Sequence, residues 1–230
     1  KNKYTNISKT VLLCTIATMD TIGIPENFAF AEQQLEKSQQ GEFPRKITFM
    51  GRDFILHKDV FSPEMFYGSS VYVPHLPLQS GNSFCEMGCG SGIIAITCCI
   101  NNNLSRVLCA DISQPAVENT LENIKLHHLS DKISVVQSDV FSNIKEDEKF
   151  DAIFWNSPYF DAPKKENPTL SDKMMYDPGY VAHKRFILDG YKRLKPNGKL
   201  LIGFSTTRFP LEHARKKFQE IGFDANIFYG

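Results

Sequence analysis

Phe84-Cys85-Glu86-Met87-Gly88-Cys89-Gly90-Ser91-Gly92 closes a short apolar run, and a second apolar run, Ile93-Ile94-Ala95-Ile96, follows at once. This order predicts a buried strand, a tight turn and the opening of a helix. Glycine has no Cβ, so the backbone can turn sharply there and a ligand can lie directly against it. The spacing is Glu-x-Gly-x-Gly-x-Gly. A dinucleotide fingerprint needs Gly-x-Gly-x-x-Gly. Counted from Gly88 and Gly90, its third glycine falls on Ile93, which disfavours a nicotinamide oxidoreductase.

Outward from this turn the chain alternates between strand and helix. Strands are predicted at 83–87, 106–111, 133–138, 150–155 and 198–204, and helices at 91–101, 114–128, 180–195 and 210–221. Such alternation argues for an α/β, mostly parallel sheet covered on both faces, joined by right-handed crossovers. Lys195-Pro196-Asn197-Gly198 reads as the turn before the fifth strand. A sixth strand begins near Phe223, and no residues remain for a seventh. Upstream, residues 1–40 read as helical, most clearly over Ala29–Lys37. Lys46–Met50 and Asp53–His57 flank Gly51-Arg52 as a β-hairpin. The predicted organisation is a small helical N-terminal part (1–44), a hairpin linker (45–59) and a main domain (60–230). Residues 160–178 are long, polar and proline-dotted, and a loop of that kind in a compact domain is usually functional.

The length, 230 residues, suits one ample domain with a small appendage, and 42% hydrophobic residues supply its core. Lys+Arg and Asp+Glu are both 26, a balance that weighs against a general electrostatic binder of nucleic acid. No Lys or Arg occurs between Lys58 and Arg106, so a pocket at the glycine turn would attract phosphate weakly. The six cysteines form no Cys-x-x-Cys pair, and no metal is expected. Free thiols in apolar runs imply a reducing, cytoplasmic setting. No span is long enough for a bilayer, and Val11–Ala17 reads as a helix rather than a signal peptide. A monomer or weak dimer is expected.

Phe150–Trp155 is a buried-strand pattern that runs directly into Asn156-Ser157-Pro158-Tyr159. The plain alternative for this tetrapeptide is a turn, but it sits where sheet ligands bind, at the carboxyl end of a fourth strand. It resembles the Asn-Pro-Pro-Tyr motif of methyltransferases that modify planar nitrogens, and the glycine stretch resembles the first motif of class I S-adenosylmethionine-dependent methyltransferases. An amide nitrogen is a poor nucleophile because its lone pair is delocalised. Its two hydrogens must be held so that the lone pair faces the sulfonium methyl. The Asn156 side-chain oxygen can accept one and the Ser157 carbonyl the other. Pro158 biases Ser157 toward an extended conformation, and Tyr159 offers a flat face for stacking.

Val107-Leu108-Cys109-Ala110-Asp111 places a carboxylate at a strand end about twenty residues past the glycines, where it can accept hydrogen bonds from both ribose hydroxyls. The other reading of Asp111 is a helix cap, a role Ser113 fills better. Asp139, with Val140 against the ring, is the candidate for the adenine amine; the alternative is a loop aspartate capping a turn. The cofactor set is thus Pro63, Glu86, Gly88, Gly90, Gly92, Asp111, Ile112, Asp139, Val140 and Asn156, and the acceptor set is Asn156, Ser157, Pro158 and Tyr159.

Over roughly residues 45–205 the chain resembles most closely the protein-(glutamine-N5) methyltransferases of release factors. That resemblance implies a Rossmann-like doubly wound sheet, S-adenosylmethionine as cofactor and a release-factor-like protein as partner. It covers Val60-Phe61-Ser62-Pro63, similar to a proline-bearing loop that lies over the cofactor. Ser157 departs from the motif's first proline but keeps its carbonyl. The second reading is an RNA or DNA base methyltransferase acting on adenine N6 or guanine N2. Phe160 extends the motif in that direction, and Lys164, Lys165, Lys173, Lys184 and Arg185 are candidate phosphate contacts. A reading of another class is an inactive module that keeps the fold for binding alone.

Overall fold

The structure is a computed structural model that describes residues 10–16, 28–158, 161, 166, 170–205 and 211–229. Seven strands form one sheet: β1 (Thr10–Ile16), β4 (Ser83–Met87), β5 (Arg106–Asp111), β6 (Ile133–Gln137), β7 (Phe150–Asn156), β8 (Leu194–Ser205) and β9 (Asp224–Tyr229). They lie in the order β6-β5-β4-β7-β8-β1-β9, and every pairing is parallel. The remaining two strands, β2 (Arg45–Phe49) and β3 (Arg52–Leu56), form a separate antiparallel hairpin. Its turn is Met50-Gly51, both at positive φ (48° and 76°), one residue earlier than expected. Positive φ at both central residues matches the twist of the flanking strands.

Successive side chains of the inner strands enter opposite cores, as a sheet covered on both sides demands. Phe84, Val107, Cys109, Ala152, Phe154 and Leu201 enter one core, with α3 (Ile93–Asn102), α4 (Gln114–Leu126) and the hairpin. Cys85, Met87, Leu108, Ala110, Ile153, Trp155, Leu200 and Ile202 enter the other, with α6 (Val181–Lys192) and α7 (Leu211–Gln219). Before α3 in the chain come α1 (Phe28–Ser38) and α2 (Gly68–Tyr72), and α5 (Leu170–Met175) lies between α4 and α6.

The N-terminal segment corrects the sequence reading. Residues 10–16 are not helical: β1 inserts between β8 and β9, with Leu12 opposite Leu201 and Val11 opposite Ala225. The seventh strand therefore exists and comes from the front of the chain. Val11 and Leu13 are buried on one face of the sheet and Cys14 on the other. The physical reason is that a short run apolar on every residue suits a strand buried on both faces, and its β-branched residues favour the pleated backbone. Periodicity alone does not separate such a run from a buried helix. The segment 195–198 also differs from expectation. It bulges within β8, with Leu194 opposite Phe150 and Lys199 opposite Ala152.

Two buried asparagines dock the hairpin. The Asn123 side chain accepts from Ile55 N (2.8 Å) and donates to Ile55 O (2.8 Å) and Ser91 O (2.9 Å). Asn119 accepts from His57 N (3.0 Å) and donates to Ile55 O (2.8 Å). Helix α4 thus satisfies the edge of β3 as a neighbouring strand would.

If β1 is an inner strand, Leu13→Ala should cost about 2–5 kcal/mol in urea unfolding, the range for a buried leucine. The amides of Leu12, Leu13 and Cys14 should exchange among the slowest in the chain. A negligible cost together with rapid exchange would remove residues 10–16 from the sheet.

Candidate active site

The glycine turn leaves the carboxyl end of β4 with Gly88, Gly90 and Gly92 all left-handed (φ 62°, 56° and 76°). A Cβ on Gly88 would stand 2.7 Å from the Trp155 indole nitrogen, so only glycine fits over that ring. At Gly90 a Cβ would meet only Val60, at 3.9 Å, so the loop that carries Pro63 borders an open space at the turn. The turn is held from three sides. Cys89 N donates to Ala110 O on β5 (3.2 Å). From α4, Thr120 Oγ1 donates to Gly90 O (2.9 Å) and Asn123 to Ser91 O. Glu86, 1% exposed, accepts from Ala95 N (2.8 Å) and so caps α3 from the adjoining strand. Burial pushes its carboxyl well above the usual range.

Asp111, at the end of β5, accepts from Gly90 N and Ser113 N, each at 2.9 Å. Burial raises its pKa, and these backbone bonds oppose the rise. A carboxylate offers about four lone-pair sites, so capacity remains for a ligand's hydroxyls. The cap of α4 falls to Ser113, which accepts from Ala116 N. Ile112 exposes its side chain beside this carboxylate. Across the sheet tip, Val140 adopts φ 53°, an unusual conformation for a β-branched residue. Its side chain is buried with Leu108 and Ala110, so what it offers a ligand ring is mainly backbone. Asp139 is engaged on one oxygen by Arg185 (2.9 Å).

This donor set fits a nucleoside without phosphates. Burial disfavours ionisation of both carboxyls beside the turn, and Asp111 adds to the effect on Glu86; no Lys or Arg occurs between Lys58 and Arg106 to draw a phosphate there.

Asn156 ends β7 at half-exposure, and its carboxamide has no hydrogen-bond partner among the described residues. Met87 pairs with Trp155 in parallel register, so Gly88 and Asn156 leave the sheet side by side. Ser157 and Pro158 are buried behind it. Tyr159 and Phe160 lie outside the described residues.

Sequence reasoning missed His183. It is fully buried and lies between Asp177 (Nδ1 to Oδ2, 2.6 Å) and Ser157 (Nε2 to Oγ, 2.8 Å). Trp155, Tyr180 and Phe218 surround its ring. Asp177 also accepts from Ala182 N and His183 N at the start of α6. Burial opposes its ionisation, but the hydrogen bond from His183 and the two backbone donors outweigh it and hold the carboxyl below its usual range. Its charge therefore adds stability at and above the ordinary carboxylate pKa, lost as pH falls through the lowered value. Asp177 lies six residues before this histidine, and the fold brings Ser157, 26 residues before it, to the pair. The polar face of α4, Asn119-Thr120-x-x-Asn123, was missed too, although polar residues one helical turn apart were its signal.

A family model for the methyltransferase small domain matches residues 51–222, and the chain belongs to that family. It is 28% identical over 180 residues to a ribosomal protein uL3 glutamine methyltransferase of Francisella tularensis, covering 73% of this chain and 56% of that protein. It is 33% identical over 133 residues to a release factor glutamine methyltransferase of Clostridium botulinum, covering 56% and 47%. The chain thus spans about half the length of these curated relatives. Among solved structures, a tRNA m1G37 methyltransferase of M. jannaschii shares the fold, with a TM-score of 0.53 and 21% identity over 79% of this chain and 50% of that one.

Gly88→Ala should destabilise the protein by more than Gly81→Ala does in denaturant unfolding. Both positions are left-handed, a backbone cost of about 1–2 kcal/mol. Only Gly88 adds a clash, since nothing lies within 4 Å of a Cβ at Gly81. Equal costs would mean that Trp155 does not press on the turn.

Proposed function

We propose that this chain transfers a methyl group from S-adenosylmethionine to a planar amide nitrogen, with a protein glutamine side chain as the acceptor. The observation that carries the reading is the exit of the glycine turn and Asn156 from adjacent parallel strands. A nucleoside on Asp111 and Gly90 and an amide on Asn156 would then face each other across one crevice. Both relatives named above are glutamine methyltransferases, which supports the acceptor class.

S-adenosylmethionine, when bound, supplies an electrophilic methyl on a sulfonium. The chain's own residues do the rest by positioning. Asp111 accepts the ribose hydroxyls, and Asp139 accepts the adenine amine with the oxygen that Arg185 leaves available. Glu86 supports the turn through α3. The Asn156 side-chain oxygen and the Ser157 carbonyl each accept one hydrogen of the acceptor amide, which aims the nitrogen lone pair at the methyl. Tyr159 stacks on the amide plane. Holding the reacting atoms this way is worth roughly 7–11 kcal/mol of barrier in well-aligned systems.

The RNA reading is weaker. Of its candidate phosphate contacts, Lys184 is paired with Glu220 and Arg185 with Asp139. The six cysteines are free and buried. Burial pushes their thiols up, preceded in Cys109 by its hydrogen bond with Cys89. Such thiols suit a reducing compartment, and acceptors of the translation apparatus belong in the cytoplasm, where we place the protein. Among the described residues no helix is long and apolar enough to cross a membrane.

Asn156→Ala should abolish methyl transfer while leaving S-adenosylmethionine affinity, measured by calorimetry, nearly unchanged. Wild-type turnover in this variant would refute the clamp. Asp111→Ala should weaken cofactor binding by about 1.5–3 kcal/mol, the worth of a charge-assisted hydrogen bond. Unaltered affinity would remove Asp111 from the ribose site. Radiolabel from S-adenosylmethionine should enter a protease-sensitive fraction of a cell extract, and label lost only to nuclease would favour the RNA reading.

A further inference from the structure

We propose that His183, oriented by Asp177, is a positioning residue for methyl transfer: it fixes Ser157 and so aims the Ser157 carbonyl at the acceptor nitrogen. The inference rests on the clamp role given to Asn156 and Ser157 above. Three polar side chains meet in a line, Asp177 Oδ2 to His183 Nδ1 at 2.6 Å and His183 Nε2 to Ser157 Oγ at 2.8 Å. They are 5%, 0% and 4% exposed. Burying three such groups is costly unless each is bonded, and an apolar trio would pack the same space more cheaply. Trp155 (5.0 Å between ring centroids), Tyr180 (5.0 Å) and Phe218 (6.1 Å) allow the imidazole little freedom to turn.

The protons follow from the partners. Asp177 accepts from Ala182 N, His183 N and the ring, which places a hydrogen on Nδ1. In the neutral ring Nε2 is then an acceptor, and the Ser157 hydroxyl donates to it. The hydroxyl has one hydrogen, so its bond to Nε2 and a bond to Gly203 O, 3.2 Å from the same Oγ, are alternatives, and in this arrangement the hydrogen goes to Nε2. Proline at this position would fix the backbone by its ring. Serine leaves φ free, and the anchored hydroxyl restores the constraint. Ser157 lies between Asn156, which has no partner among the described residues, and Pro158, so with its hydrogen on Nε2 the described anchor of its side chain is His183.

The same line reaches the long segment that follows the clamp. Asp161, near its start, accepts from Gly179 N at 2.7 Å, and Asp177 lies near its end. Asp161 and Gly179 therefore meet next to Tyr180, whose ring packs on that of His183.

A double-mutant cycle on the full chain tests the role. Methyl transfer is read on ribosomal protein uL3, a release factor and total tRNA as probes, with S-adenosylmethionine affinity measured by calorimetry. Ser157→Ala and His183→Ala should each lower kcat roughly tenfold or more, the value of one buried hydrogen bond. The double variant should lie within about twofold of the poorer single one. The Kd for S-adenosylmethionine should stay within about twofold of wild type in all three. His183→Gln, which returns an amide near Nε2, should recover most of the rate. Losses that multiply, or a Kd that weakens in step with kcat, would overturn the proposal. If His183→Ala does not fold, Ser157→Ala and His183→Gln carry the test, because both keep the aromatic cage filled.

Proton NMR of ring-labelled histidine keeps this separate from the acceptor assignment. It should show a slowly exchanging Nδ1–H of His183 that disappears in Asp177→Asn, and its absence from the wild type would refute the line. Transfer to tRNA alone would contradict the glutamine reading while the cycle is measured on tRNA. Transfer to none of the probes with the NMR signal present would sink the proposed function and leave the bonded line standing.

Discussion

The parallel pairing of Met87 with Trp155 is the constraint on which the rest of the site depends. It brings β4 and β7 to an end together, so that a backbone turn and a carboxamide emerge side by side. It also sets the Trp155 indole beneath Gly88, where any Cβ would collide. The same indole packs on the His183 ring. One side chain thus touches the floor of the glycine turn and the residue that anchors Ser157. The proposed nucleoside side and the proposed acceptor side share a support in Trp155.

Around that axis, the buried polar groups that border the glycine turn are hydrogen-bonded. Asn119, Thr120 and Asn123 on one face of α4 hold the hairpin edge and two carbonyls of the turn. Glu86 spends its carboxylate on the first turn of α3. Asp111 bonds two backbone amides and keeps lone pairs to spare. Such groups are costly to bury and strongly directional once bonded. They hold a turn built of three glycines, which has little rigidity of its own. No Lys or Arg occurs between Lys58 and Arg106, so the segment that forms the turn brings no such cation to oppose a cationic nucleoside.

Much of this was legible in the sequence because its causes are local. The order strand, glycine turn, helix is written in Phe84–Ile96, and Asn156 follows a strand whose residues alternate between two cores. Ser113 precedes its helix and caps it, as its position in the chain suggested. The failures were non-local or ambiguous. Thr10–Ile16 is apolar on both faces because it lies inside a sheet, and nothing in seven residues says which partners flank it. Val140 gave no hint of its left-handed backbone, since β-branched residues seldom adopt it. Asp177 and His183 are six residues apart, but Ser157 stands 26 residues before His183, and only the return of α6 behind β7 brings it to them.

The most direct measurement is a crystal structure with S-adenosylhomocysteine bound. The account predicts ribose hydroxyls on the Asp111 carboxylate, the chain of the ligand lying over Gly88 and Gly90, and its sulfur directed toward Asn156 in the gap between β4 and β7. A nucleoside lodged elsewhere, or one whose sulfur points away from Asn156 with Asp111 untouched, would contradict it.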